Sequence, residues 1–329
     1  MVRRSPRPAG KVAPPAPRKG AEVRSYLFVP GDSERKQTKA LTSAADALIL
    51  DLEDSVDVTQ LPAARARVRE LLKATPERAR VQLWVRVNAL ASGLLLEDLA
   101  SVMGDTGEDG PDGIVLPKVS DPREIEEVSH YLAALEVRGA RTLGSTRILV
   151  IATETPRGLL SLTNYPAFMA AAPAVAKRLT GLTWGSEDLG AGLGVTARVD
   201  GNGVPTLPFQ MARTSCLLTA AALGVQAIDG VHVDFRDRLG LARHLDAARR
   251  DGFTAKLAIH PDQVEAINAA FSPNEAEIAR ARRVVAAFAA APGAGVVNLD
   301  GQMLDRPHLV QARRILGAVE IEETPAVIR

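Results

Sequence analysis

Eight short, mostly apolar runs recur along the chain, and the stretches between them carry apolar residues at helical spacing. Several runs are continuous rather than alternating and are closed by Pro, Gly or a charged residue, as is typical of strands buried on both faces of a parallel sheet. Strands that alternate with helices predict βαβ units. The runs are Tyr26–Pro30, Ala47–Leu52, Val81–Val87, Gly113–Leu116, Ile148–Thr153, Gly181–Trp184, Gln226–Ile228 and Ala255–Ile259.

Eight such units in roughly 240 residues predict a closed (β/α)8 TIM barrel rather than an open sheet. The pattern changes after the eighth run, and we expect a C-terminal helical and hairpin appendage. The domain prediction is therefore a barrel over residues 23–261 and an appendage over residues 262–329. The appendage elements are helices at Asp262–Phe271 and Glu275–Ala290, a hairpin turning at Asp300-Gly301 and a last helix at His308–Val319.

Residues 1–22 differ from the rest of the chain because they are rich in Pro, Arg and Lys, and Glu22 is their first acidic residue. Such a segment has too few apolar residues to offset the entropy of ordering, so we expect a flexible basic tail. An alternative is an organellar transit peptide, which is also Arg-rich and acid-poor. The density of Pro disfavours the amphipathic helix of such a peptide. We therefore expect a cytoplasmic protein, with an organelle as the alternative.

Charge and composition exclude several classes of function. The formal net charge of the 329 residues is +1, which gives no global field for binding nucleic acid. No apolar run is long enough to span a bilayer. Cys216 is the single cysteine, so one chain contains neither a disulfide nor a cysteine zinc site. A soluble enzyme acting on a small molecule remains the expectation.

Ionisable side chains follow every apolar run from the second onward. The carboxyl ends of parallel strands meet at one barrel mouth, where such barrels place their chemistry. Carboxylates suit Mg²⁺, and arginine binds carboxylate or enolate oxygens in a planar, bidentate way. The pattern therefore predicts a combined cation and anion site. The residues are Glu53, Asp54, Arg86, Lys118, Glu154, Asp188, Asp229 and His260.

Simpler interpretations exist for some of these residues. Glu154 could cap the next helix or pair with Arg157, because carboxylates favour helix N-termini. Asp229 precedes a glycine and could only shape a turn. His260 stands before Pro261, where we interpret it as a structural hydrogen-bonding residue rather than a catalyst.

Seven motifs occur in order: Arg24–Gly31, Asp51–Val56, Arg86–Asn88, Leu116–Lys118, Glu154-Thr155, Gly185–Asp188 and Ile259–Pro261. Together they resemble the citrate lyase β-subunit family, within the HpcH/HpaI aldolase superfamily that includes malyl-CoA and citramalyl-CoA lyases. The resemblance implies a (β/α)8 barrel that assembles as a homotrimer or hexamer. It also implies cleavage or formation of a carbon–carbon bond beside a CoA thioester, with Mg²⁺ or alternatively Mn²⁺ as the metal.

The resemblance assigns roles to individual positions. Glu154 and Asp188 match the carboxylates that bind the metal. Arg86 matches the arginine that binds the reacting oxygens. Glu53 and Asp54 match acids that hold water at the metal.

Three further positions carry roles that the resemblance implies. Asp305 matches an aspartate that reaches a neighbouring subunit's site and acts in proton transfer, although it could instead cap the last helix. Arg24 and Lys39 match positions that contact CoA. The chain departs from the family at Leu61–Arg65, which lacks a usual lysine, and at Ala255, where the family has glycine.

The predicted activity is that of an Mg²⁺-dependent lyase acting on a 3-hydroxyacyl-CoA of the malyl, citramalyl or citryl type. The products are a short acyl-CoA and a keto acid. Two alternatives remain open: a CoA-independent class II aldolase for hydroxy-keto acids, and a citrate lyase β subunit acting on an acyl-carrier thioester. We expect no nucleic-acid or membrane partner.

Overall fold

A computed structural model gives the structure of the chain and describes residues 23–76, 78, 80–105, 109–201 and 203–323. Eight parallel strands follow one another around a closed barrel, and the eighth pairs with the first, so the predicted TIM barrel is confirmed. The tail predicted at residues 1–22 lies outside the described residues. The barrel strands are β1 Ser25–Pro30, β2 Ala47–Asp51, β3 Gln82–Arg86, β4 Gly113–Leu116, β5 Arg147–Ile151, β6 Leu179–Thr183, β7 Gln226–Asp229 and β8 Ala255–Ala258.

Helices connect the strands and surround the barrel. Among the described residues, no helix is both long and apolar enough to cross a bilayer. The helices are α1 Glu34–Leu41, α2 Leu61–Ala74, α3 Leu95–Val102, α4 Pro122–Arg138, α5 Pro156–Ser161, α6 Tyr165–Ala171, α7 Pro173–Ala176, α8 Glu187–Leu193, α9 Leu207–Leu223, α10 Arg238–Asp251, α11 Val264–Phe271, α12 Glu275–Ala290 and α13 Arg306–Glu323.

The barrel strands are buried on both faces, as their apolar runs predict. Successive side chains of a strand point to opposite faces. Ile49, Trp84 and Leu257 belong to a cluster that fills the barrel interior. Leu48 and Leu50 belong to the larger cluster between the strands and the surrounding helices. This packing leaves the strand ends as the place where polar side chains can gather.

The C-terminal appendage has its own small core. Strands β9 Val296–Leu299 and β10 Gln302–Asp305 form an antiparallel hairpin. Its turn residues Asp300 and Gly301 have φ of 54° and 79°, the left-handed conformations of the Asp-Gly turn that the sequence predicts. The side chains packed together are Ala281, Val284, Phe288, Val297, Leu304 and Ala312.

The appendage lies beside the amino-terminal ends of the barrel strands. Arg314 of α13 lines a cavity together with Val23, Tyr26 and Gln226, which lie at or before the starts of β1 and β7. By contrast, Ile267 of α11 packs in the barrel core. We therefore propose that the appendage begins at α12, later than residue 262, and that α11 is the eighth barrel helix.

A buried ion pair ties α4 to the strands on the amino-terminal side of the barrel. Glu136 accepts hydrogen bonds from Arg178 Nη1 and Nη2, each at 2.7 Å. It also accepts from the backbone N–H groups of Gly144 at 2.7 Å and Thr146 at 2.8 Å. Both side chains of the pair are nearly inaccessible, so removing one partner leaves a buried charge without compensation.

We predict that Glu136→Ala lowers the free energy of unfolding by about 3–5 kcal/mol, since Arg178 stays buried and unpaired. The matched control is Arg283→Ala, which breaks an exposed pair with Asp300. That change should cost less than about 1 kcal/mol. Urea denaturation of both variants measures the difference, and equal losses would contradict the prediction.

The pH dependence provides a second check on the same pair. Burial alone would raise the pKa of Glu136, but hydrogen bonds from Arg178, Thr146 and Gly144 lower this pKa from its ordinary 4.5 to about 2. Stability from such a carboxylate is present above the unfolded pKa and is lost as pH falls through the folded pKa. The difference in unfolding free energy between wild type and Glu136→Gln should therefore shrink as the pH falls from 4.5 to about 2. A difference independent of pH would contradict this account.

Candidate active site at the carboxyl ends of the strands

The ends of β2 and β3 are joined by a buried bidentate ion pair. Asp51 and Arg86 are the last residues of their strands and lie in register. Arg86 Nε donates to Asp51 Oδ1 and Nη2 donates to Oδ2, both at 2.7 Å. Burial opposes ionisation of Asp51, but hydrogen bonds and charge from Arg86 still lower the pKa of this carboxyl. The guanidinium is thus held with Nη1 facing the turn after β2.

That turn supplies two more carboxylates. Arg86 Nη1 lies 2.9 Å from Glu53 Oε2 and 3.3 Å from Asp54 Oδ2. Glu53 is buried, and its Oε2 atom accepts no aligned hydrogen bond. Burial raises the pKa of Glu53 to about 7, although Arg86 and Lys118 pull it down. Glu53 Oε2 is therefore held beside the guanidinium by the ion pair rather than by an aligned hydrogen bond.

Lys118, two residues after β4, connects this turn to the next pair of strands. Its Nζ lies 2.6 Å from Glu53 Oε1, 2.9 Å from Asp54 Oδ1 and 3.6 Å from Asp188 Oδ1. Burial opposes its charge, but Glu53 and Asp54 nevertheless raise the pKa of the ammonium. Its φ of 53° is unusual for a residue with a side chain, and such strain concentrates at functional sites.

Glu154 follows β5 and is the most deeply buried carboxylate at the cavity after Asp51. Its Oε2 atom accepts from the backbone N–H of Lys118 at 2.7 Å. Burial raises the pKa of Glu154 to about 8, and the charges of Glu53 and Asp188 add to the rise. Thr155, not Glu154, caps α5 by accepting from the Gly158 N–H at 2.9 Å. The helix-cap interpretation of Glu154 is therefore wrong.

Asp188 completes the group from the first turn of α8. Its neighbour Glu187 pairs with Arg198, whereas Asp188 faces Lys118. Asp51, Asp54, Arg86, Glu154 and Asp188 all line one cavity of about 370 Å³. The barrel thus brings together the predicted residues Glu53, Asp54, Arg86, Glu154 and Asp188.

The donor set at the cavity fits a hard divalent cation. Within the described part of the chain, no three His, Cys, Asp or Glu side chains are arranged as a complete metal site. Mg²⁺ typically takes one or two carboxylates and keeps other positions for water and substrate. Glu154 is a buried carboxylate whose charge a nearby cation would stabilise. Glu154 and Asp188 would therefore hold the ion.

Three predicted residues are not brought to this cavity. The guanidinium of Arg24, before β1, pairs with Asp46 at 2.9 Å and donates to Ser272 Oγ at 2.7 Å. Lys39 is exposed in the last turn of α1. Asp305 is half-exposed at the end of β10, with Oδ1 at 2.5 Å from His308 Nδ1. None of the three lines the cavity within a single chain.

Two residues near the mouth have structural roles. His260 accepts from the Asp262 N–H and so caps a 3₁₀ turn, as we expected of a structural histidine. Asp229 is not merely a turn former, because its buried carboxylate accepts from Lys256 Nζ at 2.8 Å and Trp184 Nε1 at 2.8 Å. Arg213 also pairs with Asp229 at 3.0 Å. The network fixes Trp184, which lines the cavity.

The sequence did not identify Asp51 as a site residue, and it placed Lys118 in the predicted cation and anion site without indicating its contacts. Asp51 is the single polar residue in the apolar run Ala47–Leu52, and that was the signal available from the sequence. The register that sets Asp51 beside Arg86 is seen only in the structure. Lys118 was recognised at a strand end, but no pattern revealed that its backbone N–H binds Glu154.

Residues 24–261 match the family model described as HpcH/HpaI aldolase/citrate lyase. The chain belongs to this family. The match spans the barrel and every strand end described above, and it confirms the resemblance drawn from the motifs. Membership also confirms an enzyme of the aldolase and lyase type.

Relatives within the family carry several names. A (3S)-malyl-CoA thioesterase of Cereibacter sphaeroides is 36% identical over 299 residues, covering 90% of this chain and 94% of that protein. The mitochondrial citramalyl-CoA lyase of Rattus norvegicus is 34% identical over 303 residues, covering 89% and 85%. The citrate lyase subunit beta of Haemophilus influenzae is 32% identical over 295 residues, covering 89% and 95%.

A solved structure of the family aligns with nearly the whole chain. Protein CitE from Mycobacterium tuberculosis, in complex with magnesium, acetoacetate and coenzyme A, superposes with a TM-score of 0.71 and 32% identity. The alignment covers 92% of this chain and 99% of that chain. Magnesium and coenzyme A are thus bound by a relative, in agreement with the cofactor and ligand expected from the sequence.

We predict that Gly185→Ala weakens Mg²⁺ binding by about 10-fold or more, the size of effect typical of groups that orient a metal ligand. A Cβ at Gly185 would lie 2.7 Å from Glu154 Cγ and 3.2 Å from its Oε1, so the carboxylate must move. The control is Gly295→Ala, where a Cβ meets nothing within 4 Å. Calorimetric titration with MgCl₂ measures both affinities, and equal affinities would contradict the prediction.

Proposed function

We propose that this protein is an Mg²⁺-dependent carbon–carbon lyase that cleaves a 3-hydroxyacyl-CoA to a short acyl-CoA and a keto acid. The observation that carries the proposal is the convergence of Glu154, Asp188 and Arg86 on one cavity at the barrel mouth. The family and its CoA-thioester relatives support the substrate class. The CitE complex supports magnesium as the metal.

The proposed reaction moves one proton from oxygen to carbon and shifts two electron pairs, that of the O–H bond into the new carbonyl and that of the carbon–carbon bond into the enolate. The substrate hydroxyl loses its proton, its oxygen becomes the keto-acid carbonyl, and the adjacent carbon–carbon bond breaks. The bonding pair passes to the thioester as an enolate, which is then protonated at carbon. Bound Mg²⁺ would supply Lewis-acid stabilisation of the developing charge on oxygen.

The chain's own residues would position the reacting groups. Asp51 fixes Arg86 by its bidentate contact, and Nη1, which faces Glu53 and Asp54, would use its second N–H to donate to a reacting oxygen. Burial raises the pKa of Glu53, which is ion-paired with Arg86 through Oε2, to about 7, and this carboxyl would help to hold a water that accepts the hydroxyl proton. Asp54, which pairs with Lys118, would help to hold the same water.

The second proton transfer would use Asp305 of a neighbouring copy. The appendage lies beside the amino-terminal ends of its own strands, whereas the cavity is at their carboxyl ends. In a symmetric ring, the same appendage-to-mouth contact repeats in every copy. We therefore propose a homo-oligomer, a trimer or hexamer, with shared sites. The roles of Arg24 and Lys39 in CoA binding remain predictions.

A second candidate activity is hydrolysis of the thioester, because the Cereibacter sphaeroides relative is named a malyl-CoA thioesterase. Lyase action yields a shorter acyl-CoA and a keto acid, whereas hydrolysis yields free CoA and an intact hydroxy acid. Mass spectrometry of purified protein with MgCl₂ and malyl-, citramalyl- or citryl-CoA separates the two. Free CoA as the sole CoA product would overturn the lyase proposal.

We predict that Glu154→Gln and Asp188→Asn each lower kcat/KM by roughly 10³-fold, because each removes a charge that holds the metal. The control is Asp246→Asn, the same chemical change at an exposed position of α10. Steady-state assays with MgCl₂ measure the effect, and thermal melting checks that all three variants fold. Wild-type rates in either site variant would remove that residue from the metal site.

We predict that inactive Asp305→Asn and Arg86→Ala variants, unfolded and reassembled together, regain activity. In a random equal mixture, about a quarter of sites combine an intact barrel with an intact neighbouring Asp305. The control mixture pairs Asp305→Asn with the double variant Arg86→Ala/Asp305→Asn, which contains no intact Asp305. Assays of both mixtures that stay at background would rule out the shared site.

A further inference from the structure

Helix α9 has an outer face without charge. Its inner face packs on the barrel through Phe209, Ala212 and Cys216. Arg213 is the only charged residue of the helix, and it pairs with the buried Asp229. A surface helix normally carries charged residues on its outer face. The exposed positions of α9 recur at helical spacing and none is charged: Leu207, Gln210, Met211, Thr214, Leu218, Ala221 and Ala222.

Helix α10, which follows next around the barrel, shows the ordinary pattern. Its exposed positions include Arg243, Asp246 and Arg250. On α9, by contrast, Leu207 is 76% exposed and Leu218 is 64% exposed. Contiguous apolar surface of this kind on a soluble protein marks a place that another molecule covers.

The apolar surface of α9 continues to the barrel mouth. Helix α5 lies against both α8 and α9, and its Leu160 is exposed. Helix α8 ends at the exposed Leu193, and its first turn carries Asp188, which lines the active-site cavity. We call this surface the α9 flank. It consists of Leu160, Leu193, Leu207, Met211 and Leu218.

The hairpin of the appendage presents a second exposed apolar surface. Leu304 and Val297 face the small core of the appendage. Because side chains alternate along a strand, Met303 and Asp305 lie on the opposite, outer face. Val296 pairs with Asp305 in the register of the two strands. Met303 is 77% exposed and Val296 is half-exposed, so apolar side chains surround the carboxylate on this hairpin face.

We infer that the α9 flank of one copy receives the hairpin face of a second copy of this chain. Both surfaces stay exposed in the single chain, so each needs a partner outside it. Both are apolar, and the outer face of α9 offers no charge that burial would desolvate. The contact also brings Asp305 towards the helix that carries Asp188. Only this last step rests on the proposed function.

The inferred contact joins two different surfaces and is therefore heterologous. Such a contact repeats from copy to copy and closes a ring. A contact between two α9 flanks would instead be isologous, and it would leave both hairpin faces exposed. The two arrangements respond differently to substitutions on one surface.

The first test measures association without substrate. Light scattering should find an oligomer for the wild type. Leu207→Glu/Met211→Glu on the flank and Met303→Glu on the hairpin should each weaken association by about 100-fold or more, because each buries an unpaired charge. Leu143→Glu is the matched control, since Leu143 is 65% exposed in the loop before β5, at the opposite end of the barrel.

Thermal melting checks that the variants fold, and Leu218→Glu provides a second flank variant. A monomeric wild type overturns the inference, because the flank would then await a different molecule. Folded flank variants that associate as tightly as the wild type also overturn it.

The second test mixes the two monomeric variants. The Met303→Glu chain keeps an intact flank, and the Leu207→Glu/Met211→Glu chain keeps an intact hairpin. The mixture should therefore form a heterodimer with a single intact junction and no larger species. A mixture that stays monomeric contradicts the pairing of flank with hairpin.

Turnover separates the inference from the proposed function. If Asp305 completes the neighbouring site, the heterodimer cleaves malyl-CoA while both parent variants are inactive and still bind Mg²⁺. Monomeric flank variants with wild-type turnover support the interface and refute the shared site. An associated wild type that loses its oligomer on flank substitution but cleaves no acyl-CoA supports the interface and refutes the lyase.

Discussion

The ion pair between Asp51 and Arg86 is the contact on which the rest of the site depends. Both residues end apolar strands, and the register of β2 and β3 places them side by side. A buried guanidinium needs a carboxylate of matching planar geometry, which the two 2.7 Å contacts provide. Because two nitrogens are committed to Asp51, the third points towards Glu53, Asp54 and the cavity.

Lys118 extends this arrangement across the barrel mouth. Its ammonium compensates the acids after β2, and its backbone N–H binds Glu154 after β5. The left-handed backbone conformation of Lys118 lets its ammonium and its backbone N–H make these contacts at the same time. One residue therefore positions Glu154 and the two acids Glu53 and Asp54, and strain at Lys118 is offset by several charge-assisted hydrogen bonds.

The sequence predicted the barrel and the gathering of Glu53, Asp54, Arg86, Glu154 and Asp188 at its mouth, because both follow from local patterns. Apolar runs mark strands, and the residues after them must meet at one mouth once the sheet closes. The Asp300-Gly301 turn was equally local, since its left-handed φ values are intrinsic to that residue pair. Arg24 and Asp229 were different, because their partners Ser272 and Lys256 are set by three-dimensional packing.

The position of the appendage could not be read from the sequence for the same reason. Its small core around Phe288 and Leu304 is self-contained, so no apolar pattern specifies where it docks. The structure places it beside the amino-terminal ends of the strands, through Arg314. Asp305, half-exposed at the end of β10, belongs to this appendage and does not line the cavity of its own chain. If this carboxylate takes part in the reaction, the catalytic unit is not the single chain but two adjacent copies.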